Sequence, residues 1–333
     1  MIFKWVYCSL LIMYSCFFGR TFGNWMLTGL LDYAYDKLGS ERCSDFFTSN
    51  LKESALRTNL SSLVFGQPFV SQAVLPLLIS HRRANMYHDK ALVMSFHGSQ
   101  GTGKNYVVKI LVEHLYKNGL ASRYVHYFNG RIHFTKHSKS SKHTEDLLKA
   151  VKDGVDLCPT SVFIFDELEK FPPRILDAIK MFIDYNPFIY ETGYRNAMFI
   201  FLSNSGMEVI NKKTFELWTQ QIPRHEFKLN DFQDLVREVY NAEGALKNSE
   251  LITSSLIDLF VPFLPLEKSH VIQCIRVEAS KQGEDITDEQ IEEVLSNLDF
   301  QPEDIQTFSR NGCKNIKNYV LLSLKKKHWH TEL

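Results

Sequence analysis

Three short stretches of the chain are apolar almost without interruption: Ala91–Phe96, Ser161–Phe165 and Ala197–Leu202. A fourth, Tyr124–Phe128, is β-branched and aromatic. Runs of this length and composition are what parallel strands buried on both faces require. Ser71–His81 before them, and Asn105–Lys117, Thr144–Val155 and the stretch from Arg174 to Tyr185 between them, carry apolar residues at helical spacing. Strand–helix alternation of this kind predicts a doubly wound α/β domain with a parallel sheet, placed at residues 61–245. Upstream, Leu30, Leu31, Ala34 and Leu38 predict a helical segment within 24–60, closed by Leu63–Gln67. After about residue 248 the pattern changes. Leu256–Phe263, Ser269–Ser280, Asp288–Asn297 and Asn315–Ser323 read as helices with no comparable apolar strand, so a small helical domain is expected at 246–329, entered through polar Asn241–Glu250.

Composition adds little to this picture. The 333 residues hold 38 basic and 38 acidic side chains, which gives no global reason to expect nucleic acid as a partner. No internal repeat is visible. The ends are more informative. Lys4, the uncharged run Trp5–Gly19, then Arg20, Thr21 and Gly23 predict a secretory signal peptide over residues 1–23. The run is shorter than the ~20 apolar residues of a spanning helix. A membrane anchor is the alternative, because Trp25–Leu31 is apolar again. The tail His330-Thr331-Glu332-Leu333 is a variant of the endoplasmic reticulum retrieval signal. Together the two ends predict the lumen of the endoplasmic reticulum. Removal of the signal peptide leaves Cys43, Cys158, Cys274 and Cys313, whose spacings fit no zinc pattern. A disulfide is allowed in that compartment, and spacing does not choose its partners. Asn59-Leu60-Ser61 is a glycosylation acceptor sequence.

The chemistry concentrates where strands end. Gly98-Ser99-Gln100-Gly101-Thr102-Gly103-Lys104-Asn105 joins a buried strand to a helix. Such a loop turns successive N–H groups toward phosphate, and Lys104 supplies a positive charge for the β- and γ-phosphates. ATP is therefore the expected ligand. The usual Ser or Thr after the lysine is replaced by Asn105, whose amide oxygen is a candidate ligand of Mg²⁺. The strand Val162–Phe165 delivers Asp166 and Glu167 at its carboxyl end. Asp166 is placed to hold Mg²⁺ and Glu167 to polarise the attacking water. Asn204 follows the next apolar strand, where a polar tip orients phosphate and water; an ordinary turn asparagine is the plain alternative. Lys314, in Gly312-Cys313-Lys314, is a candidate to swing over the nucleotide, although spacing alone favours a solvated lysine at a helix start.

These residues together resemble the AAA+ ATPases, and more narrowly the torsin family. The resemblance runs from about Leu60 to about Tyr319 and is most specific at Gly101–Asn105, Phe163–Glu167, Ala197–Asn204, Phe260–Glu267 and Gly312–Lys314. Asn105 after the lysine is itself a torsin habit. The resemblance implies that Lys104 is the phosphate lysine, Asp166 and Glu167 the metal-binding and water-activating pair, and Asn204 the first sensor. It implies Gly66-Gln67 as the turn beside adenine, Lys314 as the second sensor and Cys274–Cys313 as a disulfide. A ring-like or other homo-oligomer is implied too. So is a membrane-spanning activator of the nuclear envelope or endoplasmic reticulum, whose lumenal domain lends the arginine that torsins lack. Arg224, after Pro223, is the nearest arginine in the right region and reads as solvated surface. Residues 129–143 contain Phe134 among Arg131, His133, Lys136 and other polar residues, and predict an exposed loop with no role in threading. Trp25–Leu31 is a candidate contact with the lumenal membrane face.

An activator-dependent ATPase that remodels proteins or membranes is thus the leading expectation. Its rival is an ATP-controlled scaffold with little hydrolysis, favoured by Asn105 and the missing arginine and opposed by Glu167. A P-loop kinase for small molecules fits the helical carboxyl-terminal domain and the acidic pair less well.

Overall fold

The computed structural model describes residues 41, 43, 53–83, 88–134, 140–185 and 193–331, with side chains omitted at 140–141 and beyond 325. The expected signal peptide, the Trp25–Leu31 stretch, most of the 24–60 segment and the last two residues of the tail lie outside the described residues. Among the described residues no helix is long and apolar enough to cross a membrane.

The apolar runs do form strands. β1 (Leu92–Gly98), β2 (Val125–Asn129), β3 (Val162–Asp166), β4 (Met198–Ser203) and β5 (Leu259–Phe263) make one parallel sheet ordered β2-β3-β4-β1-β5. The inner strands β1, β3 and β4 are buried nearly end to end, which is why their sequences tolerate so few polar residues. Phenylalanines set the register. Phe163 of β3 stacks on its partner Phe199 of β4 at 4.9 Å, and Phe165 meets its partner Phe201 edge-on at 5.3 Å. Each fully buried ring of this kind is worth about 2–3 kcal/mol, and a one-residue slip would separate the pairs.

Helices α1 (Glu53–Leu63), α2 (Leu75–Arg82), α3 (Lys104–Leu115) and α4 (Ser140–Leu157) follow the expected periodicity. α2 is entered through one π-helical turn, Val70–Val74. The continuous helix expected from Arg174 to Tyr185 is instead a 3₁₀ segment, Ile175–Ile179, and one α turn, α5 (Lys180–Ile183), entered from Arg174 at φ +62°. After β4 come α6 (Met207–Thr219), α7 (Asp234–Asn241) and α8 (Glu250–Thr253).

The helix expected at Leu256–Phe263 is wrong: this stretch supplies β5. A short apolar run does not distinguish strand from helix by periodicity. Pro262 is the contrary signal, since proline breaks a helix interior but is tolerated on an edge strand, and among the described residues β5 pairs only with β1. The sheet therefore extends past the junction expected at 245–246, and the helical part begins at α9 (Lys268–Lys281). α10 (Asp288–Ser296) starts with a reciprocal cap between Thr287 and Gln290. The short antiparallel pair β6 (Phe300–Gln301) and β7 (Phe308–Ser309) precedes α11 (Ile316–Thr331). These helices enclose their own core of Leu266, Val271, Ile275, Val294, Leu295 and Val320, with Cys274 and Cys313 packed at its border.

Candidate nucleotide site

The carboxyl ends of β1, β3 and β4 converge on one cavity of about 770 Å³, within the size range of small-molecule sites. Its floor is the loop between β1 and α3. Lys104, the first residue of α3, is 7% exposed. Its Nζ donates to Gly98 O at 2.6 Å, Ser99 O at 2.9 Å and Asn204 Oδ1 at 3.0 Å. Burial pulls this lysine down to about 8, against the opposing pull of Glu169 and Asp166. A buried ammonium resting on carbonyl oxygens at a helix N-terminus is suited to an incoming phosphate, which brings the countercharge these carbonyls lack.

Asp166 ends β3. Its Oδ2 accepts from Asn105 Nδ2 at 2.9 Å and from the hydroxyl of Tyr127, and its Oδ1 accepts from Glu167 N at 2.9 Å. Burial, then the bond to Asp166, pushes the Tyr127 phenol up, so it stays a neutral donor. Asn105 turns its amide nitrogen toward Asp166, which leaves the Oδ1 proposed for the metal pointing elsewhere on the same short side chain. Among the described residues no cluster of three or more metal-ligating side chains occurs. One carboxylate beside a glycine-rich loop of this kind is nevertheless a donor set that suits Mg²⁺, whose shell is ordinarily completed by phosphate oxygens and water. The residues present fit that ion.

Glu167 has φ +58° and faces Arg131, with Arg131 Nε 2.6 Å from Glu167 Oε2. The contact is an ion pair rather than an aligned hydrogen bond. Asn204 follows β4 and is held by Glu169, a residue that no motif in the sequence marks. Tyr127 and Arg131 were also missed. A third acidic residue in Asp166-Glu167-Leu168-Glu169 was the only advance signal, and Tyr127 became visible only through the β2–β3 register.

Lys314 lines the same cavity, and its Nζ donates to Gln100 Oε1 at 3.0 Å. The segment carrying it touches the phosphate loop directly: Cys313 N donates to Gly101 O at 3.0 Å. A Cβ on Gly101 would fall 1.8 Å from Asn311 O, so only glycine permits this approach. Cys313 is disulfide-bonded to Cys274 of α9, and both line the cavity.

Leu63, Val64 and Phe65 add an apolar stretch of wall, and Tyr106, Val277, Glu278 and Lys281 also line the cavity. Lys281 Nζ lies 5.5 Å from the Tyr106 ring centroid. Gly66 and Gln67 stand behind this wall rather than in it. The buried Gln67 amide donates to Thr102 O and Leu264 O and accepts from Leu264 N, tying the wall to the phosphate loop and to the end of β5.

Arg224 departs from its expected place. It is not solvated surface: its side chain is 12% exposed, donates to Gly66 O and Pro265 O at 2.9 Å each, and pairs with Glu267 at 2.7 Å. Polar neighbours in sequence concealed this, because a buried guanidinium needs partners that come from distant segments. His270, beside it, is lowered to about 4 by burial and then by Arg224. Phe134 is likewise buried, packed on Phe171 at 4.5 Å and on His143, so the aromatic residue of the supposedly exposed loop is not offered to solvent. Asn59 is exposed on α1, its amide 3.2 Å from His114 Nε2.

Comparison with known proteins agrees with this geometry. The torsin family model matches residues 39–165, and the model of the torsin-1A carboxyl-terminal domain matches residues 266–321. A torsin-like protein of Caenorhabditis elegans is 36% identical over 281 residues, which cover 83% of this chain and 79% of that protein. Among solved structures, the S. cerevisiae Hsp104–ADP complex superposes with a TM-score of 0.58 at 16% identity, covering 85% of this chain and 49% of that one. The extended S. cerevisiae Hsp104–casein complex gives 0.59 at 16% identity, over 86% and 49%. The chain thus spans about half the length of these structural neighbours, and at that identity they establish the shared AAA+ fold.

Proposed function

The chain belongs to the torsin family, and from that premise we propose that it binds ATP with Mg²⁺ and hydrolyses it as an activator-dependent AAA+ ATPase of the endoplasmic reticulum and nuclear envelope lumen. The observation that carries this reading is the buried Lys104 ammonium, facing Asn204 and sharing its cavity with Asp166 and Glu167. Lys104, with the N–H groups of residues 98–105, binds the phosphates. Asp166, oriented by Tyr127 and Asn105, would hold Mg²⁺, which supplies charge neutralisation at the phosphate oxygens when bound. Glu167 accepts a proton from the attacking water. Asn204 fixes the relative position of phosphate and water. Lys314, already within reach of Gln100, closes over the phosphates from the helical side.

Among the described residues, Arg224 is sequestered by Gly66, Pro265 and Glu267, which supports an arginine supplied from outside the chain. We place that arginine on the lumenal domain of a membrane-spanning activator. The chain itself is proposed to assemble as a homo-oligomer, with a peripheral contact to the lumenal membrane face, a chaperone-like remodelling role and glycosylation at Asn59. Membership of the torsin family supports the compartment.

A second reading, an ATP-controlled scaffold with little turnover, is favoured by one observation: Glu167 is already paired with Arg131. Phosphate release by the purified chain, alone and with an activator lumenal domain, separates the two. Stimulated release abolished by Glu167→Gln supports the enzyme. Tight ATP binding without release under either condition leaves the scaffold.

A further inference from the structure

Glu169 is the least expected member of the site. It sits in the single 3₁₀ turn Leu168–Lys170 that follows β3, between the acidic pair and the rest of the chain. Its carboxylate reaches across to the end of β4 and accepts three hydrogen bonds there. Ser203 Oγ donates at 3.0 Å and Asn204 N at 3.2 Å, both to Oε2, and Asn204 Nδ2 donates to Oε1 at 2.6 Å. On its other side the Asn204 amide accepts from Lys104 Nζ at 3.0 Å.

This arrangement fixes which way the Asn204 amide faces. A carboxylate only accepts and an ammonium only donates, so the NH₂ must face Glu169 and the Oδ1 must face Lys104. One N–H remains for a ligand in the cavity that Asn204 lines. The turn bearing Glu169 is itself braced. Ala245 N donates to Leu168 O at 3.1 Å, and a Cβ on Gly244 would lie 2.6 Å from Glu169 Cα. Backbone and side chain are therefore both held before any ligand arrives, the condition for a preorganised polar group.

We propose that Glu169 is the positioning residue for Asn204, and that through this one side chain it sets the protein's discrimination between nucleoside triphosphate and diphosphate. The proposal rests on the nucleotide-binding reading above. Glu169 touches neither phosphate nor metal. Its effect on that discrimination passes through the orientation of Asn204, whose remaining N–H and Oδ1 meet the γ-phosphate region beside Lys104; its charge also favours the protonated form of Lys104, a contribution common to both nucleotides that cancels in the ratio of affinities. A diphosphate is held by Lys104 and the loop N–H groups and does not register the change.

The test is equilibrium binding of ATPγS and of ADP to the full chain, read as a ratio of affinities, with thermal unfolding alongside. Glu169→Gln keeps the side-chain shape but offers an NH₂ where an acceptor is needed. It is expected to lower ATPγS affinity about tenfold, the cost of misplacing one charge-assisted hydrogen bond, and to leave ADP affinity within about threefold. Asn204→Ala should give the same loss, and the double variant no further loss, because two residues acting as one unit are not additive. A fall in both affinities together, an unchanged ratio in Glu169→Gln, or additive losses in the double variant overturns the proposal. If Glu169→Gln fails to fold, Asn204→Ala still tests it: an unchanged ratio there removes the side chain through which Glu169 is said to act. Absence of binding of either nucleotide to the unaltered chain is a different result. It sinks the nucleotide-binding reading itself.

Discussion

The two ends of the cavity are built on opposite principles. At the end proposed for phosphate, polar side chains from β2, from the ends of β3 and β4 and from the start of α3 are bonded in two networks, one from Tyr127 through Asp166 to Asn105 and one from Lys104 through Asn204 to Glu169. At the other end the wall is apolar, Leu63, Val64 and Phe65, and the neighbouring polar residues Gln67 and Arg224 do not line the cavity but clamp backbone. Charge that faces the ligand works on affinity, and charge buried behind a wall works on stability. The same residue types thus serve different ends according to which side of the cavity wall they occupy.

The largest expected effect tests the phosphate end. Lys104→Ala should weaken ATPγS binding about a hundredfold, through the loss of charge-assisted bonds to phosphate, while the unfolding midpoint stays the same or rises. A large fall in stability instead would erase the contrast between the ends. The converse comes from Arg224→Ala. Removing the guanidinium strands Glu267 and two carbonyls, so stability should drop by about 3 kcal/mol, measured by denaturant unfolding, with affinity changed far less.

How much of this was readable beforehand follows the same division. The strands β1, β3 and β4 announced themselves because burial on both faces leaves no room for polar residues, and the loop 98–105 because its glycines and lysine sit between such a strand and a helix. β5 did not, since an edge strand of five residues containing Pro262 carries a weaker pattern. Asp166, Glu167 and Asn204 were legible as strand tips. Their orienting partners Tyr127 and Glu169 were not, because those contacts depend on strand register and on how a single turn folds back. Arg224 was misread for a related reason: its partners Gly66 and Glu267 are remote in sequence, and nothing local marks a buried arginine.

A third experiment sharpens the comparison through pH. Burial lowers Lys104 to about 8 in the folded chain. Its protonated form therefore costs stability below that pH, and the cost is relieved as pH rises from about 8 toward the unfolded value of 10.5. Phosphate needs the charged form, so ATPγS affinity should hold below pH 8 and fall by up to about tenfold per unit above it. Titration of affinity from neutral to mildly alkaline pH should show the fall, and Lys104→Ala should remove it. The smallest effect belongs to Tyr127→Phe. Loss of the phenol donor to the Asp166 carboxylate, with the Asn105 and Glu167 N donors still in place, should raise the Mg²⁺ concentration needed for tight ATPγS binding about threefold, read by metal titration. No change would mean that Asn105 and the Glu167 backbone suffice to orient Asp166.

The contact between Cys313 N and Gly101 O gives the molecule a built-in reporter. That amide proton is shielded only while the phosphate loop and the start of the helical part remain together, so its exchange with solvent deuterium measures how often they separate. Gly101 lies in the glycine-rich loop between β1 and α3, and Cys313 carries one half of the disulfide. A single amide can thus be followed by mass spectrometry or NMR as ligands and reductants are changed in turn, and its protection factor converts directly into the free energy of opening.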